Sequence, residues 1–250
     1  MKKAIIVLLS ISILLLSVPA ATLAAEPVNK PITPGELKSI TFIHYAKPDK
    51  PPKPDKPGKP DEPEPPAPDN SAYELLGISL PGTTTFYVNS SGAPAGSVNE
   101  MIQSFETWDI ETGAELFGYA GQTSVYGLNN DGQNTVSWVR VAPRSTIALT
   151  RLWYNPATDE IVEFDIVFNA FLKWGIDPDD EGPIKLSKAF DVENIATHEV
   201  GHVVGLGDLY EEQYRELTMY GYGQTGETIK ISLEEGDVEG AQYLYDEPTS

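Results

Sequence analysis

The stretch His198-Glu199-Val200-Gly201-His202-Val203-Val204-Gly205-Leu206-Gly207-Asp208 holds two of the chain's three histidines. They stand four residues apart, a spacing that places both side chains on one face of a helix. Two imidazoles so placed can grip one metal ion, and Glu199 shares their space, where a carboxylate serves as general base. A catalytic zinc site takes three protein ligands and leaves a fourth position for water. If the helix ran on, no later side chain could return to the ion. Gly205 can take the left-handed conformation that ends a helix sharply, and Gly207 adds freedom. Asp208 is then the first residue after the turn able to coordinate. The plainer alternative is a helix that stops at a glycine cap and is followed by a loop aspartate. The coincidence of all these offsets favours one zinc per chain on His198, His202 and Asp208, with Glu199 as base. Glu211, Glu212 and Glu216 are the next carboxylates should Asp208 not serve.

The elements that must position this helix can be read around it. "TTTFYVN" (83–89) is rich in β-branched and aromatic residues and predicts a strand. "SVNEMIQSFETWDIETG" places Ser97 and Glu100 at capping-box spacing and Val98, Met101, Ile102 and Phe105 on one face, which predicts an amphipathic helix. Strands are expected at "AELFGYAG", "TVSWVRV", "STIALTRLWYN" and "EIVEFDIVFN", with "NNDG" and "NPATD" as turns. Asp191 should cap the metal-site helix, and Ser232 with Glu235 a last helix, "SLEEGDVEGAQYLY". Strands first and helices late, with one helix interposed, indicate an α+β domain with a mixed sheet.

At these residues the sequence resembles the metzincin metallopeptidases, whose pattern adds a methionine turn beneath the metal; Met219 in "TMYGYG" falls at about that interval. Within metzincins it looks most like the matrixins, to whose first helix, one strand and final helix "SFETWDIETG", "EFDIVFN" and "SLEEGDVEGAQYLY" are similar; the likeness runs from about Thr83 to Tyr245. The resemblance implies a zincin-like twisted mixed β-sheet of about five strands with three main helices. It also implies a zinc endopeptidase that binds peptide along an edge strand within Ser145 to Asn155, at Ile147, Ala148, Leu149 and Thr150; the alternative is that this stretch is an interior strand. Specificity would come from a pocket walled by Tyr220 to Ile229. Matrixins have histidine where this chain has Asp208, although snapalysin-like metzincins use aspartate there. With only His44 left over, the chain cannot build the second, structural zinc of matrixins, and it lacks the cysteine of their propeptides. Neither Tyr220 nor Tyr222 is given a catalytic role.

Outside the domain, residues 1–25 have the charged start, apolar run and small-residue exit of a cleaved export signal. Residues 26–46 form a short segment with a strand-like "SITFIHYAK", and 47–70 are a Lys-Pro-Asp-rich spacer too poor in apolar residues to fold. The catalytic domain is expected over 71–250. Seventeen basic residues against 37 acidic ones make a nucleic-acid or anionic-membrane partner unfavourable. The chain is expected to be a monomer, secreted or held at the cell surface, with no membrane attachment once the signal is cut. Calcium is a further candidate ion at Asn129–Asn134 and Asp177–Gly182, where side-chain oxygens cluster. Two other functions compete. One is a surface protein of the same fold that docks its repeat on a cell-wall polymer; the other is an inhibitory pro-segment at 26–70 with His44 blocking the zinc.

Overall fold

The computed structural model describes residues 37–47, 67–177 and 188–245. The stretch expected to be an export signal, most of the expected spacer and the part of the second calcium candidate after Asp177 lie outside them. Six strands and the helices follow in the order β1 (Lys38–Ala46), β2 (Thr84–Asn89), α1 (Ser97–Thr112), β3 (Phe117–Gln122), β4 (Thr135–Val139), β5 (Thr146–Asn155), β6 (Glu160–Asn169), and then the pair β7 (Trp174–Gly175) and β8 (Phe190–Asp191). After these come α2 (Val192–Val204), β9 (Tyr222–Gly223) and α3 (Glu235–Tyr245). No helix among the described residues is long and apolar enough to cross a membrane.

The main sheet has seven strands in the order β3-β2-β4-β6-β5-β1-β9. β2, β3, β4 and β6 pair in parallel, and β5 runs antiparallel to β6 as a hairpin. β6 is buried along most of its length, as an interior strand of Ile, Val and Phe should be. α1 and α2 pack together beside it. Met101, Phe105 and Trp108 of α1 are fully buried, and the Phe105 ring stacks on Phe86 of β2 with centroids 3.8 Å apart.

Seven strands replace the expected five, and the two additions explain each other. β9 has only two residues, too few to show any periodicity. β1 belongs to the segment placed outside the domain, yet it pairs with β5 from Lys38↔Tyr154 to Tyr45↔Thr146 and in parallel with β9. Nine residues cannot fold alone, but they can satisfy the outward N–H and C=O groups of a strand already held in place. β5 is therefore not an edge strand here, contrary to the expectation for Ile147 to Thr150; its outer side is taken by the chain itself.

Asp191 caps α2 as expected, accepting from the Asn194 N–H at 2.8 Å. The other two caps differ. α1 starts after Gly96 at φ 100°, and Ser97 Oγ donates to Pro94 O at 2.9 Å, so no capping box forms. α3 starts at Glu235, and Asp237 rather than Ser232 accepts the Glu234 N–H, at 3.0 Å. The first calcium candidate is also spent otherwise. Glu163 accepts from Asn130 Nδ2 and the Asp131 and Gly132 amides at 2.7–2.9 Å, while Asp165 accepts from the Asn129 and Thr135 amides at 2.8 and 3.1 Å. The loop turns donors, not oxygens, inward, which is the reverse of a cation cage.

Candidate metal centre

Every residue of α2 is buried. The helix ends at Gly205, whose φ of 116° is open to glycine, and the Leu206 N–H closes back on Gly201 O at 3.0 Å. This reversal carries Asp208 over the helix. Its Oδ1 lies 3.3 Å from His198 Nε2 and 3.7 Å from His202 Nε2. Zinc–ligand bonds of about 2.0–2.1 Å at tetrahedral angles put neighbouring ligand atoms about 3.3 Å apart, close to the separations of Asp208 Oδ1 from the two imidazole nitrogens, and all three atoms lie within 4.8 Å of one another. His198 Nε2, His202 Nε2 and Asp208 Oδ1 are all buried and have no hydrogen-bond partner. Buried polar atoms without partners are costly, and three that converge mark a place an ion would satisfy.

The outer atoms of the same residues are engaged. His198 Nδ1 meets Thr218 O at 2.7 Å and His202 Nδ1 meets Leu206 O at 2.9 Å. Carbonyl partners call for an N–H on Nδ1 and leave Nε2 as a lone pair facing Asp208, the tautomer a metal requires. Burial, the largest cause, lowers the affinity of both rings for a proton, His198 to a pKa of about 4. Asp208 Oδ2 accepts from Tyr210 OH at 2.9 Å. Burial opposes the charge on Asp208, and the Tyr210 hydroxyl bonded to Oδ2 favours it.

Glu199 stands beside this set. Burial pushes its pKa up to about 8, against a hydrogen bond from Thr150 Oγ1 to Oε2 at 2.5 Å. Its Oε1 has no hydrogen-bond partner. Met219 is buried below α2, where Gly201 makes room: a methyl at Gly201 would overlap Met219 Sδ and stand 2.8 Å from Trp108. The loop is held from behind by Asp237, which accepts the Thr218 and Met219 amides at 2.9 and 3.1 Å.

β1 brings a further residue into the centre. The His44 ring lies 3.9 Å from that of His198, and its Nδ1 is 3.3 Å from Glu199 Oε1. Its Nε2 faces Lys230 Nζ at 3.3 Å. Among the described residues, ligand atoms thus gather in two sets, His198–His202–Asp208 and His44–His198–Glu199, which share His198. Of the residues expected to meet substrate, Ala148, Leu149 and Thr150 pair with His44, Ile43 and Phe42 of β1; Ile147 falls at a register shift. Thr150, Asp237 and Lys230 carry roles that the sequence did not reveal. A strand position, a helix residue and a loop lysine far apart in the chain leave no spacing signal.

The matrixin family model matches residues 99–246. The chain is similar to the metalloendoproteinase 2-MMP of Arabidopsis thaliana, 39% identical over 72 residues, which is 29% of this chain and 18% of that protein. It is similar to the metalloendoproteinase 4-MMP of the same plant, again 39% identical over 72 residues, 29% of this chain and 19% of the relative. The aligned stretch thus spans less than a fifth of either relative.

Proposed function

The chain belongs to the matrixin family, and from that premise we propose that it is a secreted zinc-dependent endopeptidase whose cleft is filled by its own N-terminal strand. The observation that carries this reading is the convergence of three buried, unpartnered ligand atoms next to an unpartnered carboxylate oxygen of Glu199.

His198, His202 and Asp208 would hold the ion. Zinc bound there supplies Lewis-acid activation of a water and of the peptide carbonyl. Glu199 takes a proton from the attacking water as its oxygen bonds to the carbonyl carbon. When the C–N bond breaks, Glu199 passes that proton to the leaving nitrogen, so the carboxylate is restored. Burial, which raises the Glu199 pKa, makes its carboxylate a stronger base toward that proton. Thr150 fixes Oε2 and leaves Oε1 for this exchange. Substrate would lie as an extended strand antiparallel to Ala148–Thr150, in the position β1 now holds, because backbone pairing grips peptides of varied sequence. The segment before the spacer therefore serves as an intramolecular plug, with residues 26–70 acting as a pro-segment.

The test is to insert a specific protease site between residues 48 and 66 and compare intact and cut protein in a protein-digestion assay. Metal content is measured in parallel. One zinc per chain, cleavage that rises after the cut, and loss with a chelator that zinc reverses are expected. Cleavage by metal-free protein would end the zinc reading, and equal activity before and after the cut would end the plug.

A further inference from the structure

The His44 side chain does not merely lie near the centre; it occupies a pocket with a charged floor. His198 and Gly223 flank it, Ile147 and Ile195 lie against Gly223 on the same side, and Lys230 closes the end. Gly223 is what leaves the space, since a methyl there would stand 3.1 Å from His44 Nε2 and 3.0 Å from Ile147 Cδ1. Lys230 is fully buried. Its ammonium has three protons to give. One goes to Tyr220 O and a second to Tyr222 O at 3.0 Å, both in the wall of the pocket. The third is left for the pocket, where His44 Nε2 lies 3.3 Å away and can accept it in the tautomer that carries its proton on Nδ1.

The floor thus has one donor left for whatever fills the pocket. An apolar occupant would leave that donor buried and unpaired, a penalty larger than the gain from a neutral hydrogen bond. We infer that Lys230 is the specificity-determining residue of this cleft, selecting substrates whose side chain at the position now held by His44 ends in a hydrogen-bond acceptor. Glutamine and glutamate reach about as far from the backbone as the far nitrogen of histidine and bring an oxygen to the same point. Leucine fills the volume without an acceptor. Burial, the largest influence, brings the Lys230 pKa down to about 8, with Glu227 and other carboxylates opposing it. This inference rests on the peptidase reading for its statement about substrates, but the pocket's preference can be measured without catalysis.

The first measurement uses the full chain. His44→Gln and His44→Leu are compared by hydrogen exchange at the β1 amides, which reports how easily the strand lifts from the cleft. His44→Gln should exchange within a few-fold of the parent, and His44→Leu on the order of tenfold faster or more. Placing Lys230→Met behind each variant should abolish the difference. Where Lys230→Met unfolds the chain, Lys230→Gln, which keeps donors at the floor, supplies the second comparison and should narrow the gap without closing it. Equal exchange in the Gln and Leu variants would overturn the inference.

The second measurement adds peptides of the sequence Lys38 to Lys47, varied at the His44 position, to zinc-loaded protein cut in the spacer. Peptides with Gln or Glu should be cleaved about tenfold faster, per unit concentration, than those with Leu. Preference for Leu would overturn this inference alone. Failure to cleave any peptide would overturn the peptidase reading and, with it, the statement about substrates.

Discussion

Thr150 Oγ1 donates to Glu199 Oε2 across 2.5 Å, so the strand that would hold substrate also holds the base. Glu199→Gln keeps the shape and leaves the three ligand atoms untouched. It should retain zinc and fold while turnover drops by at least about a hundredfold. Thr150→Val should lower kcat on the order of tenfold with little change in KM, because it loosens the base and not the peptide. Thr150→Ser should recover most of that loss. Steady-state kinetics decides: a Thr150→Val enzyme changed only in KM would place Thr150 against substrate instead.

Asp237 links the last helix to the metal centre. It accepts the amides of Thr218 and Met219, and Thr218 O in turn receives His198 Nδ1. Asp237→Ala leaves two buried donors unsatisfied and should cost roughly 2–5 kcal/mol in urea unfolding. Zinc affinity should fall as well, since the carbonyl that orients His198 is no longer anchored. Unchanged zinc affinity in a destabilised variant would mean that the methionine loop is fixed by packing alone.

Gly201 sits over Met219 with no room for a side chain. Gly201→Ala should cost about 1–3 kcal/mol through overpacking, although alanine favours a helix over glycine. The cost should shrink when Met219→Ala is combined with it, because the closer of the two overlaps is then removed and only that with Trp108 is left. Thermal melts of the single and double variants give the coupling. Strictly additive effects would show that the close approach of Gly201 and Met219 is not what makes glycine necessary.

Much of the centre was legible because it is local. The helix, its aspartate cap and its glycine stop lie within 18 residues, from Asp191 to Asp208, and each depends on backbone geometry that a short window reveals. The long strands were legible from their β-branched runs. What escaped was partnership. β1 reads as a strand by composition, but nothing in nine residues says that it joins β5 more than a hundred positions later, as when Arg151 Nε donates to Thr41 Oγ1. The capping box at Ser97 failed because Gly96, at φ 100°, already turns the chain into the helix. Lys230 and Asp237 act on the loop after Met219 only once the fold has brought it against them, and isolated charges in a chain of 54 charged residues carry no mark of burial.

Asp208 stands where the matrixin resemblance implies a histidine, and its surroundings bear on whether it can serve as the third ligand. Oδ1 faces both imidazoles while Oδ2 is tied to Tyr210. Two of the three alternative carboxylates are directed elsewhere: Glu212 pairs with Lys47 at 3.1 Å and Glu216 with Arg215 at 3.6 Å. Asp208→Ala should therefore weaken zinc binding by several orders of magnitude, since it removes a ligand. Tyr210→Phe should weaken it about tenfold, because only the orientation of the carboxylate is relaxed. Asp208→His restores a nitrogen ligand and should bind zinc far more tightly than the alanine variant. Competition with a chelator of known affinity ranks the four proteins without reference to activity. If the alanine variant held zinc as firmly as the parent, Asp208 would be a loop acid that merely faces two histidines, and the third ligand would have to come from Glu199 or His44, the carboxylate and imidazole of the second set.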